Sequence, residues 1–474
     1  MKLPNHKTKI VCTIGPASRD KSVLKHLIKN GMNVARLNFS HGSLAEHKED
    51  INRIRSIAQT LNQSIAIMID LPGPKIRIGK IENEPLILKK GDEVVFTTEN
   101  ARGTQNLIPV KYKELSQSVS PGGNIYLNDG FLQFKVLKVF KEEVKCKVVV
   151  GGELLSNKGM NLPGAKIFAD AITKKDLDFV DFGLKNGVHI FAASFVKNAD
   201  DINMIKNFAK RKNKKVYVIA KIERAEAVKN IDEIMKVADG IMIARGDLGV
   251  QVPIEQVPMI QKKLIRKANI YGQPVITATQ MLESMTQNLR PTRAEVTDVA
   301  NAIIDGTDAV MLSAETAIGK YPSHTVVMMS AIAATTERQF SHVLKFDMEQ
   351  YFETGPGRKN ASIEDIVSLS VFEATQAMKV KFIITTSAGS TASKISRFRP
   401  HSWILSFVAD EKIREFLEFS YGVHPFYIAQ KSKNLQDTII ALLKKHGLIK
   451  KGDKAVLTEG KASADSLGII GFER

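Results

Sequence analysis

Short apolar runs recur along the first two thirds of the chain, and each ends in small or polar residues before a helix-like segment. The eight runs are IVCTIGP (10–16), NVARLNFSHG (33–42), IAIMIDLPG (65–73), HIFAASFV (189–196), VYVIAKIE (216–223), GIMIARGD (240–247), PVITATQ (274–280) and AVMLSAE (309–315). Their near-continuous valine, isoleucine and alanine content is typical of strands buried on both faces, as in a parallel sheet. Eight such strands alternating with helices predict a closed (β/α)8 barrel. A doubly wound open sheet is the alternative, although CTIGPAS is not the glycine-rich fingerprint that such a sheet usually carries after its first strand.

The third and fourth runs are separated by far more than one helix. Between about 75 and 165 the pattern changes to short alternating runs, punctuated by turn sequences such as KKGD and SPGGN. This change predicts a small β domain inserted into the barrel. A lid on flexible linkers is the functional interpretation, and a stabilising decoration is the alternative.

After the eighth run, FETGPGRKNAS (352–362) has the composition of a linker, and helix and strand patterns then alternate again to the end. We therefore predict an α/β protein with a (β/α)8 TIM barrel, an inserted small β-barrel lid domain and a C-terminal α/β domain. The predicted boundaries are 1–73 and 166–340 for the discontinuous barrel, 74–165 for the lid, 341–361 for the linker and 362–474 for the C-terminal domain.

Composition narrows the function classes. Two cysteines in 474 residues exclude a disulfide framework and a cysteine-rich metal site, which suits a reducing cytoplasm. The chain carries no apolar run of membrane-spanning length and its start lacks a signal-peptide pattern, so we expect a cytoplasmic protein without a membrane partner. The net charge of +18 raises the possibility of nucleic-acid binding, but the densest basic run, KRKNKK (210–215), has no aromatic residues interleaved. We interpret it as a solvated helix end and expect anionic metabolites rather than nucleic acid.

Polar residues cluster at the carboxyl ends of the predicted barrel strands, where TIM-barrel enzymes place their chemistry. They are Arg36, Asn38, Ser40, His41, Asp70, Ser194, Lys221, Glu223, Asp247, Thr279 and Glu315. Each of them alone could form a structural salt bridge or hydrogen bond. Because eight strand ends meet at one rim, the whole set predicts one functional ring.

AKIERAE and IARGDLG are the most informative of these strand ends. Glu223 and Asp247 present two carboxylates from adjacent strands, which suits Mg²⁺ with water and substrate oxygens as further ligands. Lys221 lies two residues before Glu223 and therefore projects to the same face. Backbone amides around Gly246 can approach an anion closely, and Arg36 adds a second cation. The inferred ligand is a small phosphorylated carboxylate, and no P-loop or nucleophile elbow occurs, which favours electrostatic over covalent catalysis.

Several long motifs stand along the chain in this order: KIVCTIGPAS, NVARLNFSHG, IDLPGPKIR, KGMNLPG, AKIE, ARGDLGV, ATQMLESM, RPTRAEVTDVANAI and MLSAETAIGKYP. With these motifs the chain resembles the pyruvate kinase family from about Thr8 through the third domain. The resemblance implies Mg²⁺- or Mn²⁺-dependent phosphoryl transfer from phosphoenolpyruvate to ADP in glycolysis, giving pyruvate and ATP. It also implies a homotetramer and regulation by a phosphorylated allosteric effector.

The resemblance also implies roles for individual residues. Lys221, Arg36 and Thr279 would be catalytic, with Arg36 on the phosphoryl group and Lys221 stabilising the charge of the transferred group and of the enolate. Glu223 and Asp247 would hold the divalent metal, and the substrate would meet Arg36, Ser194, Thr279 and the amides of Gly246 and Asp247. The nucleotide would be bound by Asn38, His41, Arg77 and, from the lid, Lys158.

One stretch, IDLPGPKIR, departs from the family pattern, which reads like D-T-K-G-P-E-I-R. There a monovalent cation, usually K⁺, is held by the equivalents of Asn38, Ser40, Asp70 and the carbonyl of the residue at Leu71. Lys75 replaces the acid of that pattern, so we hypothesise that its ammonium faces Asp70 and substitutes for K⁺, which would then not be required. The alternative is an exposed Lys75 with K⁺ bound as usual.

In the third domain, TTSAGSTASKISRFRP (385–400) resembles the family's sugar-phosphate effector loop but lacks its arginine. The phosphate-facing candidates are Thr385, Ser387, Ser390 and Thr391, and an ordinary helix N-terminus is the alternative. Two other functions remain open on the residues alone. One is a Mg²⁺-dependent lyase acting on a small oxoacid, and the other is a metabolite- or nucleic-acid-binding protein on a decayed enzyme scaffold.

Overall fold

A computed structural model describes residues 3–168, 170–339, 362–386, 389–428, 435–461 and 464–472. Its largest unit is a closed barrel of parallel strands in the order β1-β16-β15-β14-β13-β12-β3-β2. These strands are β1 Lys9–Thr13, β2 Met32–Asn38, β3 Ala66–Leu71, β12 Ile190–Ala193, β13 Tyr217–Ile222, β14 Gly240–Ala244, β15 Val275–Ala278 and β16 Ala309–Leu312. Each strand coincides with one of the eight apolar runs, so the predicted barrel is confirmed.

Barrel strands are buried on both faces, as their apolar composition predicts. Outward-facing residues pack with the surrounding helices in one large core cluster, and inward-facing residues form a second cluster inside the barrel. The helices around the barrel are α1 Lys21–Lys29, α2 Leu44–Thr60, α4 Lys174–Lys185, α5 Ala199–Arg211, α6 Ala225–Lys229, α7 Ile231–Val237, α8 Arg245–Gln251, α9 Val257–Tyr271, α10 Arg293–Ile304, α11 Ala314–Ala317 and α12 Pro322–Gln339. No helix in the ranges given above is long and apolar enough to cross a membrane.

Several of these helices begin with a capping box, in which the N-cap side chain and the acid three residues later satisfy each other's backbone amides. Ser43 and Glu46 start α2 in this way, and Thr173 and Asp176 start α4. Asp176 also accepts a hydrogen bond at 3.1 Å from the backbone N–H of Gly73, just after β3. The start of α4 is therefore tied to the point where the chain leaves the barrel.

The inserted region forms its own sheets and its own core. One sheet has the order β11-β7-β8-β9-β5-β6 and a second pairs β10 with β4. The elements are β4 Leu86–Leu88, β5 Glu93–Thr97, β6 Leu107–Pro109, α3 Leu115–Ser118, β7 Asn124–Leu127, β8 Leu132–Val139, β9 Glu143–Val150, β10 Gly152–Leu154 and β11 Met160–Asn161. Burial alternates along β8 and β9, as expected of strands with one solvated face, and the predicted small β domain is confirmed.

The C-terminal region folds into an α/β unit around the sheet β19-β18-β17-β20-β21. Its elements are α13 Ile363–Ala377, β17 Phe382–Thr385, α14 Ser390–Ser396, β18 Trp403–Val408, α15 Glu411–Leu417, β19 Val423–Tyr427, α16 Leu435–Lys445, β20 Lys454–Lys461 and β21 Ala464–Gly471. The fold class is thus as predicted. The exact domain boundaries stay predictions, and the linker over 341–361 lies outside the described residues.

A short segment of the C-terminal unit closes the amino-terminal end of the barrel. Phe419, which is fully buried, belongs to the cluster of inward-facing residues that fills the barrel interior. Phe416 precedes it by one turn and stacks on Tyr217 at the start of β13, with ring centroids 4.2 Å apart. The barrel core is therefore completed by a side chain from another part of the fold.

Polar contacts surround this aromatic plug. Lys9 Nζ lies 3.5 Å from Glu418 Oε2 and donates to the carbonyl of Val423 at 2.6 Å. Burial lowers the pKa of Lys9 and raises that of Glu418, although each charge favours the ionised form of the other. Asp308 accepts from Arg399 and from the backbone N–H of Tyr421, both at 3.0 Å. These buried contacts fix the orientation of the segment that carries Phe419.

Replacing Phe419 by alanine should reduce the free energy of unfolding by about 3–5 kcal/mol, because it leaves a cavity at the end of the barrel core. Thermal unfolding followed by calorimetry should show a lower midpoint. The control is Phe140→Ala at an exposed lid position, which should change stability by no more than about 0.5 kcal/mol. Equal midpoints for the two variants would contradict the role of Phe419 in the barrel core.

Candidate active site

Arg36, Asp70, Ser194 and Lys221 meet at the carboxyl-terminal mouth of the barrel. Asp70 Oδ2 accepts a hydrogen bond from Arg36 Nε at 2.7 Å, and Asp70 Oδ1 lies 3.2 Å from Lys221 Nζ. Ser194 Oγ accepts from Lys221 Nζ at 2.7 Å and donates to Asp70 Oδ1 at 3.3 Å. All four residues are buried, and they come from β2, β3, the end of β12 and β13. The predicted ring therefore contains a tight ionic centre.

This ionic centre holds its charges firmly. Burial alone would raise the pKa of Asp70, but the positive charges of Lys221 and Arg36 lower it below its ordinary value. Burial would likewise lower the pKa of Lys221, and the carboxylates of Asp70 and Glu223 reverse this and raise it. Lys221 is therefore an ammonium at neutral pH, fixed in position before any ligand arrives.

Glu223 and Asp247 form the second part of the site. Glu223 Oε1 lies 2.8 Å from Lys221 Nζ, and Oε2 accepts from the backbone N–H of Phe195 at 2.7 Å. Burial raises the pKa of Glu223, Lys221 opposes this, and the negative charge of Asp247 raises it further. Glu223 and Asp247 together supply carboxylate oxygens that suit a divalent cation with substrate and water as further ligands. Within the described part of the chain, no group of three or more His, Cys, Asp or Glu residues is arranged to hold a metal.

Thr279 occupies a strained position beside these carboxylates. Its backbone φ is +67°, a left-handed conformation that is costly for a β-branched residue. Arg245 Nη2 donates to the Thr279 carbonyl at 2.8 Å, and Thr279 Oγ1 accepts from the backbone N–H of Gly246 at 2.8 Å. The Gly246 amide, which we expected to face a substrate carboxylate, is thus engaged by Thr279 in this structure.

Glu315 has a structural part in the same rim. Its two carboxylate oxygens accept from the backbone N–H groups of Leu282 and Ser313, at 3.1 and 2.6 Å. The side chain is fully buried and links the loops that follow β15 and β16. Glu315 therefore has a structural role, because it connects two loops of the barrel rim.

Two family models match the chain: the pyruvate kinase barrel domain over residues 5–326 and the pyruvate kinase alpha/beta domain over 365–469. The chain belongs to the pyruvate kinase family. A pyruvate kinase of Thermococcus litoralis is 49% identical over 469 residues, which covers 99% of this chain and 98% of that relative. One from Staphylococcus epidermidis is 43% identical over 96% of this chain and 77% of its own length. The crystal structure of a pyruvate kinase from Cryptosporidium parvum superimposes with a TM-score of 0.92 at 37% identity, over 99% of this chain and 96% of that one.

Members of the pyruvate kinase family are phosphotransferases, and this excludes the lyase as a description of the chain. The intact set of Lys221, Glu223, Asp247 and Thr279 argues against the decayed scaffold. The residues expected at the nucleotide lie in two groups. Asn38 ends β2 at the barrel rim and His41 lies in the loop that follows, where Asn38 Oδ1 accepts from the backbone N–H of Ser40 at 3.1 Å. The segments that carry Arg77 and Lys158 run beside each other at the base of the lid, because Arg77 pairs with Gly159 and the backbone N–H of Ile78 donates to the Lys158 carbonyl at 3.0 Å. Arg77 Nη1 donates to the Asn157 carbonyl at 3.0 Å.

Lys75 does not lie where we expected it. Its Nζ is 3.7 Å from Asp247 Oδ1, and its Cε approaches Gly159 of the lid, where an added Cβ would lie 2.8 Å away. The oxygens of Asp70 are instead contacted by Arg36, Lys221 and Ser194. The expected pairing of Lys75 with Asp70 is therefore corrected to a contact with Asp247. The physical reason is that Asp70 is enclosed inside the barrel mouth, whereas Lys75 follows the turn that leads into the lid.

The effector candidates do not form an open cluster in the described residues. Thr385 is buried and donates to Ser406 Oγ at 3.0 Å, and Thr391 is buried within α14. The hydroxyl of Ser390 donates to the carboxylate of Glu364 at 3.1 Å, and that negative charge would repel a phosphate. Ser387 lies outside the described residues. The effector site stays a prediction.

Sequence reasoning missed residues that hold the site in place. Thr13 at the end of β1 accepts from Arg36 Nη1 at 2.8 Å. Arg245 bridges the loops after β14 and β15 and pairs with Asp298 at 2.6 Å. Thr13 and Arg245 stand at or just after strand ends, which is the signal that could have found them. His47, described below, lies on a helix and carries no such signal.

Substituting Lys221 by methionine should reduce the free energy of unfolding by about 3–5 kcal/mol, because Asp70 and Glu223 then stay buried with less compensation. Urea unfolding at neutral pH measures the loss. Adding Glu223→Gln to the variant should recover part of it, because one of the uncompensated charges is removed. A double variant no more stable than Lys221→Met would contradict the electrostatic origin of the effect.

Proposed function

We propose that this protein catalyses transfer of the phosphoryl group from phosphoenolpyruvate to ADP, giving pyruvate and ATP. The observation that carries the proposal is the buried Lys221 ammonium, 2.8 Å from Glu223 and 3.2 Å from Asp70 at the mouth of the barrel. A cation fixed in advance stabilises charge that develops during a reaction without further reorganisation. Family membership supports the choice of substrates.

Each residue of the site has a role in the proposal. Arg36 binds the phosphoryl group, and Lys221 stabilises its charge in transit and the charge of the enolate that remains. Ser194, Thr279 and the amides of Gly246 and Asp247 orient the substrate, which requires the Gly246 amide to exchange Thr279 for the ligand. Asn38, His41, Arg77 and Lys158 bind the nucleotide. Asp70 keeps Arg36 and Lys221 aligned, because it contacts both.

Glu223 and Asp247 would hold Mg²⁺ or Mn²⁺. The raised pKa of Glu223, caused by burial and by the charge of Asp247 against the opposing effect of Lys221, supports a cation at this place. When bound there, the divalent cation would neutralise part of the charge of the transferred group. Membership of the pyruvate kinase family implies a requirement for a divalent metal in general. The choice of Mg²⁺ or Mn²⁺ is part of the proposal.

The expected reaction can be measured as pyruvate formed from phosphoenolpyruvate and ADP in a coupled assay. Pyruvate formation should require both substrates and should stop when EDTA removes the divalent metal. Lys221→Met should reduce kcat by about 10²–10³-fold, by analogy with loss of a fixed oxyanion donor. The assay is made at a temperature where unfolding of the variant has been excluded. Near-normal turnover by folded Lys221→Met would remove Lys221 from its assigned role.

We further infer that K⁺ is not required. Asp70, the acid of the predicted monovalent-cation set with Asn38, Ser40 and Leu71, is already contacted by two protein cations. Lys75 adds a third positive charge at the end of the same segment, beside Asp247. Asp70 therefore has its charge balanced by protein cations already, which weakens its attraction for a further monovalent cation.

Activity should change little when K⁺ is replaced by tetramethylammonium at constant ionic strength. Lys75→Glu should lose activity in K⁺-free buffer by on the order of tenfold or more, because a positive charge is lost and a negative one is added, and K⁺ should restore it. Lys80→Glu, at an exposed lid position, makes the same change of charge as a control. A many-fold K⁺ requirement of the unmodified protein would refute the inference.

Regulation by a phosphorylated effector and assembly into a homotetramer remain predictions from family resemblance, as does a cytoplasmic location. They do not enter the assignment of the reaction. The nucleic-acid and membrane partners that the sequence disfavoured are likewise not part of the proposal.

A further inference from the structure

Asn38 at the end of β2 and the loop that follows, with Ser40 and His41, form one segment whose two ends are fixed by different elements. At its start, the backbone N–H of Phe39 donates to the Asp70 carbonyl at 3.1 Å. At its end, Ser43 and Glu46 form the capping box of α2, and Arg19 holds Glu46 at 2.7 Å. Between these ends, the backbone N–H groups of Ser40 and His41 donate to Asn38, and the carbonyl of His41 makes the contact that ties this turn to α2.

His47, on the first turns of α2, supplies that contact. Its Nε2 is 2.8 Å from the carbonyl oxygen of His41, so this nitrogen carries the proton and donates. Its ring stacks on Phe39, with centroids 4.1 Å apart and an interplanar angle of 6°. The same imidazole therefore contacts the loop at two points, one polar and one apolar.

The surroundings keep His47 in this state. Phe39 packs edge-on against Phe179 and Phe182 of α4, with centroids 5.0 and 5.8 Å away. Burial lowers the pKa of His47, although its bond to the His41 carbonyl opposes the shift. Its Nδ1 is buried and has no hydrogen-bond partner in the described structure, so a second N–H there would be unsatisfied. The imidazole of His47 is thus neutral, donates one hydrogen bond and packs against the ring of Phe39.

We propose that His47 is a positioning residue for the nucleoside diphosphate, acting through the His41 carbonyl to hold the loop of residues 38–42 in its binding conformation. The inference rests on the proposed function, which assigns Asn38 and His41 to the nucleotide. Gly42 fits the same picture, because its φ of +76° turns the chain back toward His47, and an added Cβ would lie 3.4 Å from His47 Nε2. On the phosphoenolpyruvate side of the site, the side chain of Asp70 holds Arg36 and Lys221 in place, and His47 makes neither of these contacts.

Two variants separate the donor from the ring. His47→Gln keeps an N–H near the position of Nε2 and loses the stack, whereas His47→Phe keeps the stack and loses the donor. We expect His47→Phe to raise the KM for ADP by about five- to tenfold, the usual effect of one lost hydrogen bond, with kcat and the KM for phosphoenolpyruvate nearly unchanged. His47→Gln should stay within about twofold of the unmodified protein. His324→Phe makes the same replacement at an exposed histidine and is the control.

Any of three results would overturn the inference: an unchanged KM for ADP in His47→Phe, equal effects of Gln and Phe, or a parallel loss for phosphoenolpyruvate. His41→Ala and Asn38→Ala test the underlying assignment. If neither raises the KM for ADP, the proposed nucleotide role of the loop fails and the inference fails with it. If they do raise it and His47→Phe does not, only the role of His47 is refuted.

Discussion

The carboxylate of Asp70 is the constraint on which the rest of the site depends. It is buried, and each of its oxygens contacts a different protein cation, Arg36 at 2.7 Å and Lys221 at 3.2 Å. Without it two like charges would face each other inside a low-dielectric barrel, which is unfavourable. With it, both cations are held at one point at the mouth of the barrel. Asp70 therefore allows a pair of cations to lie close together where an anionic ligand is expected.

The barrel interior connects this ionic centre to the opposite end of the fold. Val34, Met68 and Ile219 are buried inside the barrel, and each precedes a charged residue of the centre by two positions on its own strand. Residues two apart on a strand share a face, at a spacing of about 6.6 Å. Phe419 belongs to the same interior cluster and enters from the C-terminal unit. Two parts of the chain therefore contribute to the apolar residues inside the barrel. These residues pack directly beneath the charged residues of the ionic centre and support them.

Local patterns predicted the barrel well, because strands buried on both faces give long apolar runs that end at the rim. The residues that meet there, including Arg36, Asp70, Lys221 and Glu223, could be named from the same pattern. Which acid contacts which cation could not be predicted, because this depends on the directions of side chains on different strands. Lys75 is an example. Its positive charge could be read from the sequence, but the turn after β3 places its ammonium beside Asp247 rather than Asp70. Neither Phe419 nor His47 could be predicted. Phe419 packs into a barrel whose strands are far away in the sequence, and His47 lies on a helix without a distinctive motif.

The turn after β3 connects the ionic centre to the lid, because it packs against residues of the centre and leads directly into the lid. Gly73 has a φ of +60°, and a Cβ there would lie 3.0 Å from the ring of Phe195 and 3.2 Å from Ser194, so only glycine fits without displacement. The chain thus leaves the barrel pressed against the two residues that hold Lys221 and Glu223, since Ser194 accepts from Lys221 and the Phe195 amide donates to Glu223. Two residues later Lys75 passes Gly159 of the lid and reaches Asp247. One side chain therefore lies against the base of the lid and also beside a carboxylate proposed to hold the metal.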